Sequence, residues 1–241
     1  MKKTIKKKIS GLLFSSNIIG IFINPFYISR KNLYTAINKI SPSITGKTLD
    51  VGCGQKPYMH LFNSSEYIGM DIETSGHDHE NSKVDVFYDG VNFPFDNETF
   101  DSVVTNQVLE HVFNPEIFLK EINRVLTPNG KLLLTVPFAW DEHEQPYDYA
   151  RYSSFGLEYL LQNNGFEIIK AQKTANNISV IFQLLNMYIF KISSFNFASK
   201  VLSLLFIVPL NIIGVFLGFI LPKNNDLYLD NVILAKKVNH V

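Results

Sequence analysis

At about 150 residues per domain, a chain of 241 residues amounts to one medium domain with additions, long enough for a full hydrophobic core. Hydrophobic residues make up 46% and charged residues 18%, below the roughly 25% charged of soluble domains, which excludes disorder and points to a non-aqueous partner; one cysteine excludes an internal disulfide framework. The net charge of zero is segregated: nine Lys/Arg and no acid over 1–49, twenty acids against six bases over 50–167, seven bases against two acids over 168–241. That pattern speaks against a nucleic-acid binder and for an acidic body with membrane-facing ends.

Five lysines in residues 2–8 precede 21 uncharged positions, 9–29. A secretory signal has this outline, but Ser15, Ser16, Asn17, Gly20 and Asn24 interrupt the apolar run and no small-x-small cleavage site follows. An interfacial basic amphipathic helix and a helix packed on the domain remain as readings. A helix over Arg30–Ile40 comes next. From Thr48 onward short apolar runs alternate with helical patterns, which marks a parallel sheet of strand-helix units. Strands are expected at Thr48–Val51, Tyr67–Asp71, Val84–Tyr88, Ser102–Thr105, Lys131–Val136 and Phe166–Gln172. Asn114 is expected to cap a helix with Pro115 in its first position and Ile117, Phe118, Ile122, Val125 and Leu126 as its buried stripe. Thr127-Pro128-Asn129-Gly130 should turn the chain into the next strand. Ser153 or Ser154 opens a further helix and Gly165 closes it.

Between Ile178 and Pro222 the composition shifts, with 30 hydrophobic residues among 45, two lysines and no acid. Its second half is uncharged for 22 positions, enough to cross about 30 Å of hydrocarbon. Leu227–Ala235 nevertheless reads as another strand of the same sheet. A membrane reading therefore requires an even number of passes, a re-entrant hairpin or interfacial helices. The alternative is apolar helices folded onto the domain or onto a dimer partner. The chain thus divides into a basic, apolar segment (1–47), a core (48–177), a hydrophobic helical insert (178–222) and a final strand with tail (223–241).

The strongest chemical signal is Leu49-Asp50-Val51-Gly52-Cys53-Gly54, a strand ending in an acidic, glycine-rich turn. Glycines there let backbone approach a ligand closely. Against the dinucleotide fingerprint, Pro57 stands where the third glycine belongs. Asp50 is also wrong for pyrophosphate, since a carboxylate repels phosphates and attracts an amine or sulfonium. Asp71, 17 residues beyond Gly54, is placed to accept hydrogen bonds from ribose hydroxyls. The alternative is that both acids only cap turns. Cys53 reads as a small packing residue. His77-Asp78-His79 has no accompanying ligands at diagnostic spacing, so no metal is expected.

With Asp89 before Phe93-Pro94-Phe95, Phe100-Asp101, Val108-Leu109-Glu110-His111-Val112 and Arg124-Val125-Leu126-Thr127-Pro128-Asn129-Gly130, the chain resembles the class I S-adenosylmethionine-dependent methyltransferases. The match spans roughly Leu49 to Lys170. The resemblance implies an α/β, Rossmann-like, doubly wound sheet of seven strands with the last antiparallel. Leu227–Ala235 would be strand seven, with the apolar helical insert between strands six and seven. It implies S-adenosyl-L-methionine as cofactor, its methionine part held by Asp50, Gly52, Cys53 and Gly54 and its ribose by Asp71 and Ile72. Asp89 and Gly90 would lie beside adenine, and Asn106 and Gln107 would face the methionine end. Phe93 and Phe95 fit the core better than the adenine. Lys56-Pro57-Tyr58 and Asn24-Pro25-Phe26-Tyr27 are similar to a subgroup associated with surface-polysaccharide gene clusters.

The acceptor side should follow strand five, where Pro137 to Tyr152 is dense in titratable and aromatic side chains. His143 is the leading general base, because its unperturbed pKa lies near neutrality. Asp148 and Arg151 are candidates to orient a polyhydroxylated acceptor, with Trp140, Tyr147 or Tyr152 stacking on it; an internal Asp148–Arg151 salt bridge is the plain alternative. Glu110 and His111 either reach the site or pack. The expected activity is O-methylation of a sugar or lipid-linked glycan by a cytoplasmic enzyme, peripheral or re-entrant at the inner face of the cell membrane. Expected partners are a small-molecule or glycan acceptor, a membrane surface and a second copy through the insert, with no nucleic acid. A quinone-like lipid acceptor and a non-catalytic cofactor-binding scaffold are the competing readings.

Overall fold

The computed structural model describes residues 18–73, 83–193 and 197–238. The lysine-rich start and the His77-Asp78-His79 segment lie outside them. The described strands are β1 (Thr45–Val51), β2 (Asn63–Ile72), β3 (Val86–Tyr88), β4 (Phe100–Asn106), β5 (Leu126–Pro137), β6 (Phe166–Lys173) and β7 (Asp230–Lys237). They form one sheet in the order β3-β2-β1-β4-β5-β7-β6. The pairs β1·β2, β1·β4, β2·β3 and β4·β5 are parallel. β7 runs antiparallel to β5, with Lys131 opposite Lys236 and Pro137 opposite Asp230. This is the seven-stranded doubly wound architecture with its last strand reversed, and its topological switch falls between β1 and β4, where open sheets bind ligands.

Central strands buried on both faces read as unbroken apolar runs. Leu49 and Val51 of β1, Val103 and Val104 of β4, and Leu132, Leu133, Leu134 and Val136 of β5 are all fully buried. β2 starts four residues earlier than the apolar pattern suggested. Asn63, Ser64, Ser65 and Glu66 carry no apolar signal, but β1 recruits them through backbone pairing and a Thr48–Ser64 hydroxyl hydrogen bond of 2.7 Å.

Four local expectations are corrected. The helix α3 (Pro115–Val125) has no side-chain cap from Asn114; that residue's backbone carbonyl instead accepts from Phe118 N–H at 3.2 Å. Its buried stripe is Phe118, Leu119, Ile122 and Val125, while Ile117 is 45% exposed, because it lies about 130° round the helix from the stripe's centre. Thr127–Gly130 does not separate helix from strand. β5 already begins at Leu126, opposite Phe100, and the next pair is Ser102 with Lys131, so the intervening residues bulge out with Asn129 at φ 63°. β3 is also shorter than expected, only Val86–Tyr88. The helix α4 (Ser154–Asn163) follows the expected pattern: Ser153 Oγ accepts from Gly156 N–H at 3.2 Å, and Gly165 leaves the helix at φ 80°.

The described chain divides into two compact units. One contains the sheet. The other takes in the described residues up to Ala36 together with Lys173–Leu229. It holds α1 (Gly20–Ile23), the start of α2 (Tyr27–Ile40), α5 (Ser179–Ile192) and α6 (Phe197–Ile220). Leu229 N–H donates to Thr174 O at 3.0 Å, so the two ends of the segment beyond β6 meet.

This helical unit inverts the usual distribution of polarity. The buried stripe of α6 is Ser203, Ile207, Asn211 and Gly214, whereas Leu202, Leu205, Phe206, Phe216 and Phe219 are exposed. On α5, Gln183 and Asn186 are fully buried while Ile181, Leu185 and Tyr188 are exposed. The buried amides are paired within the unit, save Asn186 Oδ1, which has no partner. Asn211 Nδ2 donates to Ile21 O (3.0 Å) and Asn24 O (3.1 Å), and its Oδ1 accepts from Asn186 Nδ2 (2.9 Å). Gln183 donates to Pro25 O and accepts from Ser29 N–H, each at 3.0 Å. A Cβ on Gly214 would sit 2.7 Å from Phe182 Cβ, the close approach that small residues allow between helices. Asn24-Pro25-Phe26-Tyr27 is thereby a docking turn: the Asn24 side chain accepts from Phe26 N–H at 2.9 Å while its carbonyl receives Asn211. Val201–Ile220 has a mean hydropathy of 2.4 and is long and apolar enough to cross a membrane by length and composition.

Candidate active site at the ends of β1, β2 and β4

The turn after β1 is built on backbone that residues with side chains resist. Gly52 has φ 71°, and a Cβ there would lie 2.3 Å from Val108 Cγ2. Gly54 has φ 45°, and nothing lies within 4 Å of the position a Cβ would take. The first glycine is needed for packing and the second leaves open space over the sheet edge. Gly52 and Cys53 N–H groups both donate to Met70 O, at 2.8 and 3.1 Å, and Gly54 N–H donates to Asp71 Oδ2 at 3.0 Å. The other Asp71 oxygen accepts from Ile72 N–H at 2.9 Å. Asp71 therefore ties the glycine turn to the end of β2 and stands beside that open space.

Asp50 is 4% exposed. Burial pushes its carboxyl up to about 7, against the opposing hydrogen bond from Tyr67 and the attraction of Lys56. Burial, with Asp50 adding to it, likewise pushes the Cys53 thiol up to about 12, which suits a packing residue and not a nucleophile. Two supports escaped the sequence reading. Tyr67 OH donates to Asp50 Oδ2 at 2.7 Å. The buried Lys56 ammonium pairs with Asp85, whose Oδ2 also accepts from Gly69 N–H at 2.7 Å. Those two interactions outweigh desolvation and hold Asp85 below the usual carboxylate range. A Cβ on Gly69 would strike Lys56 Cε at 2.2 Å, so Gly69 makes room for the lysine. Lys56 lay within a quoted motif, but nothing in the spacing linked it to Asp85.

Asp89 and Gly90 follow β3. The Asp89 carboxylate is occupied by its own turn, accepting from Asn92 Nδ2 at 3.0 Å and from Asn92 and Val91 N–H at 2.7 and 2.8 Å, which together hold it below its ordinary pKa. Gly90 has φ 85°. Phe93 is core, edge-on to Tyr88 and Phe118, and Phe95 is edge-on to Phe100. Their loop is clamped by Arg124, which donates to Phe93 O and Phe95 O at 3.0 and 2.8 Å and pairs with Glu121. After β4, Asn106 and Gln107 are organised by Thr135 of β5: Gln107, at φ 58°, donates its N–H to Thr135 O (2.9 Å) and its Nε2 to Thr135 Oγ1 (3.2 Å).

The loop after β5 folds back over residues 109–111. Asp148 and Arg151 form a two-point ion pair, with Nη1–Oδ1 at 2.6 Å and Nη2–Oδ2 at 2.7 Å. Desolvation alone would raise the Asp148 pKa, but Arg151 and the His143 N–H bring it down to about 2. Arg151 Nη2 also donates to Asp141 O at 2.6 Å. The internal salt bridge, one of the two readings of this pair, is present and fixes the loop. The His143 ring stands beside this pair: its Nδ1 lies 3.2 Å from Asp141 O and 3.3 Å from Asp148 Oδ2. The His111 and His143 rings stand edge to face with centroids 4.8 Å apart. His111 Nδ1 lies 2.9 Å from Tyr147 O. Burial lowers the His111 pKa and raises that of the fully buried Glu110 to about 8. Glu110 and His111 thus join His143, a convergence that 31 intervening residues concealed.

Comparison with known proteins agrees with this geometry. Residues 49–134 match the model of a methyltransferase-domain family. An uncharacterized protein of Methanocaldococcus jannaschii is 28% identical over 147 residues, 54% of this chain and 68% of that protein. Among solved structures, phosphoethanolamine N-methyltransferase 2 of Haemonchus contortus, in complex with phosphomonomethylethanolamine and S-adenosylhomocysteine, aligns with TM-score 0.55 at 19% identity, over 91% of this chain and 56% of that one. An S-adenosylmethionine-dependent methyltransferase of Mesorhizobium loti aligns with TM-score 0.53 at 11% identity, over 84% and 96%. The [4+2]-cyclase SpnF shares the fold too, with TM-score 0.56 at 18% identity over 88% and 83%, so fold alone does not name a reaction. The family match over β1 to β5, the strand order and the acid-and-glycine turn agree: residues 49–134 match a methyltransferase domain, and the sheet has the fold of the class I S-adenosylmethionine-dependent methyltransferases.

Proposed function

We propose that the protein methylates a hydroxyl of a sugar carried on a lipid, working at a membrane surface on its cytoplasmic side. The observation that carries the membrane part is the inverted polarity of the helical unit, whose amides face inward and whose Leu and Phe side chains face outward. A soluble protein would bear a large exposed apolar area there, and such areas mark contact surfaces. α5 has 14 residues, about 21 Å of helix, too short to cross about 30 Å of hydrocarbon. β6 and β7 are neighbours in one sheet, so the segment between them returns to the side it left. A shallow or re-entrant helical pair satisfies both conditions. The sugar follows from the resemblance to the polysaccharide-associated subgroup and from the aromatic loop after β5.

The residues present fit the cofactor: a left-handed glycine turn with open space above Gly54, a carboxylate at the end of β2 and a buried acid under the turn. When bound, S-adenosylmethionine supplies a methyl group on a sulfonium, a good leaving group, so alignment and removal of the acceptor's proton are what the protein must add. Gly52, Gly54 and Asp71 hold the donor at the switch point, and Asp50 places negative charge beneath a cationic ligand. Glu110, His111 and His143 stand after β4 and β5, where an acceptor enters, and activate its oxygen. Trp140 and Tyr147 offer apolar faces for a sugar ring.

The test is transfer of radiolabelled methyl from S-adenosylmethionine by the full-length protein in detergent, supplied with membrane lipid extract. Label that enters the lipid fraction and is released into water by mild acid supports a lipid-linked sugar. Label that stays in lipid after acid favours a quinone-like ring. Binding of S-adenosylhomocysteine without any transfer identifies a cofactor-binding scaffold instead.

A further inference from the structure

We infer that Glu110, His111 and His143 bind a divalent first-row metal ion, a site that rests on the methyl-transfer reading only for the acceptor it would activate. One candidate ligand atom on each of the three lies within 4.8 Å of the others. Two imidazoles and one carboxylate form a donor set that takes Zn²⁺ or its neighbours and leaves a coordination position open.

Burial makes the cluster more than three nearby side chains. Glu110 has no solvent exposure, and neither of its carboxylate oxygens has a hydrogen-bond partner. Nor does His111 Nε2, which is buried 3.9 Å from Glu110 Oε1 and 3.7 Å from Glu144 Oε1. A buried polar atom left without a partner costs about 1–3 kcal/mol, more when charged. Three such atoms in one place form a site that a cation completes.

The histidines are prepared for the role. A metal-bound imidazole usually donates its second ring N–H to a carbonyl or carboxylate, which fixes tautomer and ring plane. His111 Nδ1 faces Tyr147 O at 2.9 Å, and His143 Nδ1 faces Asp141 O and Asp148 Oδ2 at 3.2 and 3.3 Å. On both rings Nε2 is the nitrogen left to coordinate. Arg151 locks Asp148, and Glu110 O accepts from Tyr149 N–H at 2.8 Å, so the loop carrying His143 is pinned to the turn carrying the other two ligands. Ligand atoms on a tetrahedral ion at about 2.1 Å sit about 3.4 Å apart, so the three side chains draw inward by roughly 1 Å on binding. With the ion present, His143 is a ligand and not a free base, and the open position takes an acceptor oxygen whose pKa the ion lowers.

The experiment uses full-length protein in detergent, stripped with a chelator and titrated with Co²⁺ and then Zn²⁺. Expected is one equivalent of Co²⁺ per chain with visible absorption bands of a four- or five-coordinate ion, displaced by Zn²⁺. Glu110→Gln and His143→Gln should each weaken Co²⁺ binding at least tenfold, and Zn²⁺ should raise the thermal midpoint of the parent protein but not of the variants. Circular dichroism establishes that each variant is folded; should one unfold, His111→Gln replaces it. Sub-stoichiometric binding by the parent, or folded variants that bind as tightly as it does, overturns the site. S-adenosylhomocysteine titration of the same samples reads the methyltransferase assignment separately, so either can fail alone.

Discussion

The Tyr67 hydroxyl donates to Asp50 Oδ2 over 2.7 Å, so the acid beneath the glycine turn is held from the neighbouring strand and not by its own loop. That arrangement partly solvates a carboxylate whose pKa burial has moved from 3.8 to about 7. A raised folded-state pKa means that the penalty for ionising Asp50 is absent below about 3.8, grows between there and about 7, and is complete above. Stability from this group is therefore lost as pH rises through 7.

Asp50→Asn keeps an oxygen for Tyr67 and removes the ionisation. In cofactor-free protein its unfolding free energy should match the parent's near pH 4 and exceed it near pH 8, by a difference on the order of a few kcal/mol. Equal pH profiles for the two proteins would show that Asp50 titrates normally.

A cation seated against Asp50 favours its charged form. Affinity for S-adenosylmethionine should therefore tighten between about pH 6 and about pH 8 more than affinity for the uncharged thioether of S-adenosylhomocysteine. Calorimetric titrations in two buffers of different ionisation enthalpy measure the protons released.

Gly52→Ala and Gly54→Ala separate packing from ligand access. At position 52 the new methyl meets Val108 at 2.3 Å on a left-handed backbone, so stability should fall by about 1–3 kcal/mol. At position 54 the methyl enters open space, and the stability cost should be only about 1 kcal/mol. S-adenosylhomocysteine binding should nevertheless fall at least tenfold in Gly54→Ala. Thermal melts and calorimetry distinguish the two.

The helical unit yields a paired test. Phe206→Asp combined with Phe219→Asp alters exposed positions and should move the protein from the membrane pellet toward the soluble fraction with little change in melting. Asn211→Leu makes the chain more apolar yet removes three hydrogen bonds, and should destabilise by roughly 2–3 kcal/mol or more. Sedimentation unaffected by the aspartates would place that face against protein.

The sheet and the cofactor turn were legible because their signals are local. Runs such as Leu132–Leu134 announce a strand buried on both faces, and a glycine turn after an acid states its own backbone demands. β2 began earlier than read because pairing, not hydrophobicity, defines Asn63–Glu66. Asn114 and Thr127–Gly130 carry the right residue types for a cap and a turn, yet the first uses its carbonyl and the second bulges within β5. Asp148 and Arg151 admit both an acceptor contact and an internal pair, because a spacing of three fits either, and only the fold shows that the pair forms. The union of Glu110 and His111 with His143, and of Lys56 with Asp85, depends on tertiary folding that no spacing encodes.

The hydrogen bond from Leu229 N–H to Thr174 O closes the helical insert at its neck. Loop-closure entropy rises only slowly with length, so a tight turn across the same gap would leave β6 and β7 in register. The insert is therefore closed at its own base, and its ends meet whatever length of helix lies between them. On the proposed membrane reading, location and chemistry are written in separate stretches of one chain.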